Sequence, residues 1–247
     1  MKHTINLNGK YRTNLLDELT DKKINLDFTN IKVSNNNYKD NKTTTIYFKD
    51  ITDKDNYKVI KNKFKTILKK YIKGNKFLII GLGNSKITFD SLGPNTLNHI
   101  LVTNHLKEYL DKKFKLVSKF YPNVTSLTGI DNYNLVKKIT NLETPDMVII
   151  IDSLIGSKME NITKCIQVSN IGLDKNINYH NYTKSLNAIN LKYPVIIIGI
   201  PCILETDNNL VVTTKDIDLT IEKSSKLIGE SLNEVIHNYS FDIDTPS

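Results

Sequence analysis

The sequence predicts an α/β fold in which a mostly parallel sheet lies between layers of helices. Three continuous apolar runs have the length of strands that are buried on both faces, and helical patterns separate them along the chain. The chain has 247 residues, of which 39% are hydrophobic and 24% charged. These values suit one generous globular domain and exclude an intrinsically disordered chain.

The predicted strands form two groups, which differ in how continuous their apolar runs are. The clearest runs consist mainly of Ile, Leu and Val, which favour central strands of a parallel sheet. They span residues 76–83, 147–154 and 193–201. Shorter or more polar patterns indicate further strands at residues 44–48, 114–120 and 165–169.

Four segments have the periodicity of amphipathic helices. In the first, Ile60, Phe64 and Leu68 recur at the spacing of one buried stripe. In the last, Ile221 and Ile228 belong to a similar stripe. The predicted helices span residues 55–73, 94–110, 131–142 and 215–236.

The chain shows no internal repeat and no linker long enough to divide it. We therefore expect a single domain over residues 1–247, with residues 1–43 as a less regular N-terminal extension. The polar residues 30–43 within that extension predict a surface loop. No run of about 18 apolar residues occurs, and the first residues lack the apolar stretch of a secretion signal, so we expect a cytoplasmic protein without a membrane partner.

The net charge of +8 comes almost entirely from lysine. The chain has 33 Lys, one Arg, 31 Asn and one Ala, a composition typical of a genome rich in A and T. Guanine readout and bidentate phosphate binding normally use Arg, so the sequence argues against sequence-specific nucleic-acid binding. The surplus of lysine would still attract acidic partners by long-range electrostatics.

No motif predicts a cofactor. The GLGN turn at residues 81–84 lacks the third glycine of a dinucleotide fingerprint and the Lys-Ser pair of a P-loop. Cys165 and Cys202 lie in or beside predicted strands and are interpreted as core or loop residues. His99 and His105 fall in one predicted helix but form no recognised ligand pair, so a metal site is the less favoured alternative.

Two aspartates lie where an open α/β sheet gathers its ligands, at the carboxyl ends of strands. Asp90 follows the first clear strand and precedes a helix that begins near Pro94, and Asp152 ends the run MVIIID. Two neighbouring carboxyl groups can share a proton, so that one activates water while the other donates to a substrate carbonyl. The structural alternatives are that Asp90 caps the following helix and that Asp152 bonds loop amides.

Several long segments, in the same order and at similar spacing, resemble the spore germination protease family. The resemblance covers residues 76–237 and a fragment, RTNLLDE, that contains the only arginine, Arg12. The segments are GLGNSKITFDSLGP, PDMVIIIDSLIGSKMENITKCIQVSNIGL, YPVIIIGIPCILET and LVVTTKDIDLTIEKSSKLIGESLNEVIH.

The resemblance implies an atypical aspartic endopeptidase that degrades small acid-soluble spore proteins in the spore core during germination. The two essential aspartates of the family match Asp90 and Asp152. The resemblance also implies a three-layer αβα sandwich, similar to the hydrogenase maturation protease fold. It further implies a homotetramer, no cofactor, and a precursor that removes its own N-terminal segment.

The chain departs from the family pattern at three places. Residues 170–182 lack most glycines and the aspartate of a glycine-rich family loop, and Phe89 replaces a proline. Asn14 stands where family members carry the acidic residue after which they cut themselves. Two alternatives remain open: a metal-dependent maturation-type peptidase, and a catalytically impaired descendant that serves as an assembly or regulatory module.

Overall fold

A computed structural model of the chain describes residues 31–38, 41–111, 114–173, 184–205 and 210–239. Within these residues the fold is an eight-stranded sheet with helices on both faces, which confirms the predicted α/β class. The strands are β1 (Lys32–Tyr38), β2 (Asn41–Tyr47), β3 (Lys76–Gly81), β4 (Leu116–Phe120), β5 (Met147–Gly156), β6 (Cys165–Ser169), β7 (Val195–Glu205) and β8 (Val211–Val212). The helices are α1 (Lys54–Tyr71), α2 (Leu92–Leu97), α3 (Thr125–Thr128), α4 (Asn132–Glu143), α5 (Ala188–Leu191) and α6 (Ile217–His237).

The strand order is β1-β2-β6-β7-β5-β3-β4, and β8 pairs with β7. The centre of the sheet, β7-β5-β3-β4, is parallel, and β6, β2, β1 and β8 extend it in antiparallel pairing. The chain places β4 on one side of β3 and β5 on the other. The switch point of the parallel sheet, where ligands gather in such folds, therefore lies between β3 and β5.

Two apolar clusters cover the two faces of the sheet. Alternate residues of a strand point to opposite faces, so Ile149 and Ile151 of β5 pack under α1, α2 and α6. Val148 and Ile150 belong to the second cluster, under α4 and α5. This division gives the sandwich of helix, sheet and helix that the apolar strand runs predict.

The predicted helix over residues 94–110 is wrong, because α2 ends at Leu97. The chain beyond it bonds to β4 instead: the Thr103 N–H donates to the Val117 carbonyl at 3.0 Å, and the Thr103 hydroxyl donates to the Lys115 carbonyl at 2.7 Å. The apolar stripe that predicted the longer helix is not buried, since Tyr109 is 85% exposed.

The predicted surface loop at residues 30–43 is also wrong. These residues enter an antiparallel hairpin whose register runs from Lys32 opposite Tyr47 to Tyr38 opposite Asn41. Asn and Lys are poor strand formers, so composition hid a strand at the edge of the sheet. The motif with Arg12 and Asn14, and residues 174–182 of the altered loop, lie outside the described residues.

The structure bears out the remaining helices to within two residues at each end. Asp53 and Asp131 cap α1 and α4, and each carboxylate accepts a bond from the N–H group three residues later. In the described part of the chain, no helix combines the length and the apolar character that crossing a membrane requires.

Candidate active site

Asp90 closes the loop that leads from β3 to α2. The Asn84 N–H donates to the Asp90 carboxylate Oδ2 at 2.9 Å and to the Asp90 carbonyl at 2.9 Å. Asp90 is half-buried and ends a short 3-10 turn, Thr88–Asp90. The carboxylate thus accepts a bond within its own loop, and the N-cap residue of α2 is Ser91.

Gly83 makes this tight loop possible. Its φ is +116°, and a Cβ at this position would lie 2.0 Å from the Asp90 carbonyl oxygen. No other residue type fits without moving the loop. The GLGN turn therefore serves to bring the chain against Asp90.

A second glycine seats α2 on the ends of the two central strands. A Cβ on Gly93 would lie 2.3 Å from the Leu82 carbonyl oxygen and 2.6 Å from the Ile151 carbonyl oxygen. The Leu82 N–H donates to the same Ile151 carbonyl at 2.8 Å. The residue that follows β3 is thereby tied to the residue that precedes Asp152.

The sequence predicts that Asp152 lies at the carboxyl end of its strand, but the residue lies inside β5. β5 continues to Gly156, and Asp152 pairs with Gly199 of β7. Because Gly81, the last residue of β3, pairs with Ile151, Asp152 nevertheless lies one residue beyond the end of β3. It occupies the switch point by register, although it is still inside β5.

The two aspartates differ in their surroundings. The alternation along β5 places the Asp152 side chain on the face of Val148 and Ile150, and the residue has 0% exposure. The Thr88–Asp90 turn packs against β5 and β7. The structure therefore brings the backbone of the turn that carries Asp90 against the strand that carries Asp152, but the Asp152 side chain points to the face of the sheet opposite α2 and α6. Asp90 is half-exposed and Asp152 is fully buried.

A buried polar row crosses the sheet on the Asp152 face. Gly199 pairs with both Asp152 and Gln167, and Gln167 pairs with Thr45 of β2. Gln167 is 7% exposed and Thr45 0%, and among the described residues neither the Gln167 Nε2 nor the Thr45 Oγ1 has a hydrogen-bond partner. Sequence reasoning missed this row because it is assembled from four strands that lie far apart in the chain.

Tyr121 was also missed. It follows β4, and its hydroxyl lies 3.3 Å from the Gly83 carbonyl oxygen and 3.2 Å from the Ser85 nitrogen. A tyrosine at the end of a predicted strand is a weak signal of a site. Its contact with a loop 36 residues earlier depends on the pairing of β3 with β4.

A cavity of about 320 Å³ opens beside the Asp90 loop, between α2 and α6. Polar side chains line most of it, including Lys86 from the loop, His99, and Asp218 and Glu222 from α6. Burial lowers the pKa of the His99 imidazole below its ordinary value of 6.5, although Glu230 and Glu222 oppose the effect. His99 is therefore largely neutral at pH 7.

The other candidate ligands of the sequence do not converge. His105 lies in a separate 3-10 turn, Asn104–Leu106, so the prediction that it shares a helix with His99 is wrong. Cys165 and Cys202 are buried in β6 and β7, which confirms their interpretation as core residues. Across the described ranges, no three His, Cys, Asp or Glu side chains form a group that could hold a metal ion.

Known proteins are similar to this chain over much of its length. A model of the germination protease family matches residues 15–208, which include both aspartates. The germination protease of Clostridium tetani is 32% identical over 160 residues, covering 63% of this chain and 49% of that protein. That of Caldanaerobacter subterraneus is 37% identical over 137 residues, covering 54% of this chain and 42% of that protein.

A third relative extends the comparison to another genus. The germination protease of Bacillus subtilis is 36% identical over 132 residues, covering 52% of this chain and 36% of that protein. The chain thus spans about half the length, or less, of these curated relatives. Among solved structures, the NiFe hydrogenase maturation protease HycI from Thermococcus kodakarensis matches with a TM-score of 0.39 and 17% identity, covering 67% of this chain and 98% of that chain.

Proposed function

Because this chain belongs to the germination protease family, we propose that it is an endopeptidase that hydrolyses peptide bonds with Asp90 and Asp152. The observation that carries the proposal is the meeting of their two elements at the switch point between β3 and β5. That place in an open α/β sheet is where substrates bind. Both aspartates lie within the stretch that matches the family.

The surroundings of the two carboxyl groups suit different roles. Asp90 is half-exposed and can meet water, and the Asn84 N–H fixes one of its oxygens. We assign to Asp90 the removal of a proton from the attacking water as its oxygen bonds to the substrate carbonyl carbon. Asp152, which has no exposed surface, donates its proton to the substrate carbonyl oxygen. The proton that Asp90 took from water passes to the nitrogen, which leaves as an amine when the C–N bond breaks, and the hydroxyl formed from the carbonyl returns its proton to Asp152.

The substrates proposed are the small acid-soluble proteins of the spore core, and the assembly proposed is a homotetramer. The resemblance of the sequence to the spore proteases supports both. In this proposal the chain is an endopeptidase of the atypical aspartic type that degrades small acid-soluble spore proteins during germination.

The test is to incubate the purified chain with a small acid-soluble spore protein and to identify the products by mass spectrometry. The same assay is run on Asp90→Asn and Asp152→Asn, with Asp55→Asn as the control, since Asp55 is an exposed residue of α1. The proposal expects cleavage by the wild type and the control and none by the two other variants. Equal cleavage by all four proteins would remove both assignments.

Two further arms separate the alternatives. Loss of wild-type cleavage in a chelator, with recovery when a divalent metal is added, would favour the metal-dependent maturation-type peptidase. A folded wild-type chain that cleaves no spore protein would favour an assembly or regulatory module.

A further inference from the structure

We infer that Tyr121 is a positioning residue for Asp90, an inference that rests on the proposed peptidase function. Tyr121 is partly buried against the core cluster that α1, α2 and α6 cover. Its hydroxyl reaches out of this packing to the loop that carries Asp90.

The hydroxyl holds the two residues on either side of Asn84. It accepts a bond from the Ser85 N–H at 3.2 Å and lies 3.3 Å from the Gly83 carbonyl oxygen, to which it can donate. Asn84, between them, supplies the N–H that bonds both the carboxylate and the carbonyl of Asp90. The position of the Asp90 carboxylate is therefore linked to the Tyr121 hydroxyl through one residue.

The other side of Tyr121 is anchored as well. The hydroxyl lies 3.1 Å from Asn123 Oδ1, and the Asn123 carbonyl accepts a bond from the Asn132 side chain at 2.9 Å. Asn132 is the first residue of α4 and is 2% exposed. The loop that carries Asp90 is thus connected through Tyr121 and Asn123 to the helix on the opposite face of the sheet.

A single hydroxyl hydrogen cannot serve both Gly83 and Asn123 at once. The bond from the Ser85 N–H does not use that hydrogen, so it is kept whichever acceptor the hydroxyl chooses. Removing the hydroxyl leaves the Ser85 N–H without this acceptor and leaves the ring packing intact. The expected effect is a displaced Asp90 loop in a protein that remains folded.

The variant Tyr121→Phe tests the inference, with Tyr71→Phe as its matched control. Tyr71 also has a hydroxyl partner, Thr44 at 2.9 Å, but it lies at the end of α1. For Tyr121→Phe we expect kcat to fall about 10-fold, the cost of one hydrogen bond in a positioned site, with KM and the unfolding midpoint unchanged. We also expect faster hydrogen exchange at the Asn84 and Ser85 amides.

A purely structural role would lower the unfolding midpoint and leave kcat alone, as we expect of Tyr71→Phe. If the wild type cleaves substrate and Tyr121→Phe keeps its kcat, the inference is overturned while the proposed function stands. A wild type that cleaves nothing overturns the proposed function. Unchanged amide exchange at Asn84 and Ser85 overturns the inference whatever the activity.

Discussion

Asn84 and Asp90 are joined by one N–H that serves two oxygens. The Asn84 amide lies 2.9 Å from the Asp90 carboxylate and 2.9 Å from the Asp90 carbonyl. The loop between them is therefore closed on itself, and the carboxylate has a fixed position above the central strands. This closure depends on Gly83, and the first prediction concerns that residue.

Replacing Gly83 by alanine should damage both the fold and the site. The φ of +116° is unfavourable for alanine, and its Cβ would lie 2.0 Å from the Asp90 carbonyl oxygen. We expect the free energy of unfolding to fall by about 3 kcal/mol, from backbone strain and overpacking together, and peptidase activity to be lost. Urea unfolding of the purified variant measures the first effect.

Gly129→Ala is the control for Gly83→Ala. Gly129 also has a positive φ, +69°, but a Cβ there would meet nothing within 4 Å. Only the backbone strain remains, so the free energy of unfolding should fall by about 1 kcal/mol, and peptidase activity should be retained. Equal losses in the two variants would show that the contact with Asp90 is unimportant.

Two adjacent threonines of β2 should respond oppositely to substitution by valine. Thr44 and Thr45 are 2% and 0% exposed. Within the part of the chain that the structure describes, the Thr44 hydroxyl has two partners, Asn35 at 2.8 Å and Tyr71 at 2.9 Å, and the Thr45 hydroxyl has none. We expect Thr45→Val to raise the free energy of unfolding by about 1 kcal/mol and Thr44→Val to lower it by about 1 kcal/mol. Denaturant unfolding of both variants decides the matter. Destabilisation of Thr45→Val to the extent of Thr44→Val would mean that the Thr45 hydroxyl is satisfied in solution.

The ion pairs between α1 and α6 should make stability depend on pH. Glu234 lies 2.8 Å from the Lys61 ammonium and 2.7 Å from that of Lys65, and its side chain is 9% exposed. Burial alone would raise the pKa of Glu234, but the hydrogen bonds and charges of the two lysines outweigh it and lower the pKa below the ordinary 4.5. A lowered pKa in the folded state stabilises the protein above pH 4.5, and this stabilisation is lost as the pH falls through the folded-state pKa.

Glu234→Gln should therefore be less stable than the wild type at pH 7, by about 2 kcal/mol. The difference should shrink as the pH falls below about 4.5, where Glu234 of the unfolded wild type takes up a proton before Glu234 of the folded protein, whose pKa is lower. Urea unfolding between pH 7 and pH 3 measures it. Glu222→Gln is the control, because that side chain is 69% exposed and its pair with Lys223 is long, at 3.6 Å. A difference that stays constant down to pH 3 would contradict the account.

The central strands could be predicted because burial on both faces leaves a local signal. The runs of β3, β5 and β7 are apolar throughout, and the buried stripes of α1 and α6 are regular. The ends of these elements depend on neighbours. β5 continues beyond Asp152 because β7 runs beside it to its last residues. The helix predicted over residues 94–110 does not form at its full length, because Thr103 bonds to the chain at β4 instead.

Some residues of the candidate site could be predicted from the sequence, and others could not. Asp90 and Asp152 could be chosen from sequence, since each follows an apolar run and carries a carboxyl group. Tyr121 and Gln167 could not, because their roles arise from contacts across the sheet. Tyr121 meets a loop that belongs to the neighbouring strand, and Gln167 shares a face with Asp152 through antiparallel pairing with β7.

A double-mutant cycle on Asp90 and Asp152 tests the central claim most directly. The measurement is kcat/KM of Asp90→Asn, Asp152→Asn and the double variant on a small acid-soluble spore protein. If the two groups act as a unit, each single substitution should lower kcat/KM by at least about 1,000-fold, and the double variant should be no slower than the singles. A single variant that keeps the wild-type rate, or losses that multiply in the double variant, would contradict the claim.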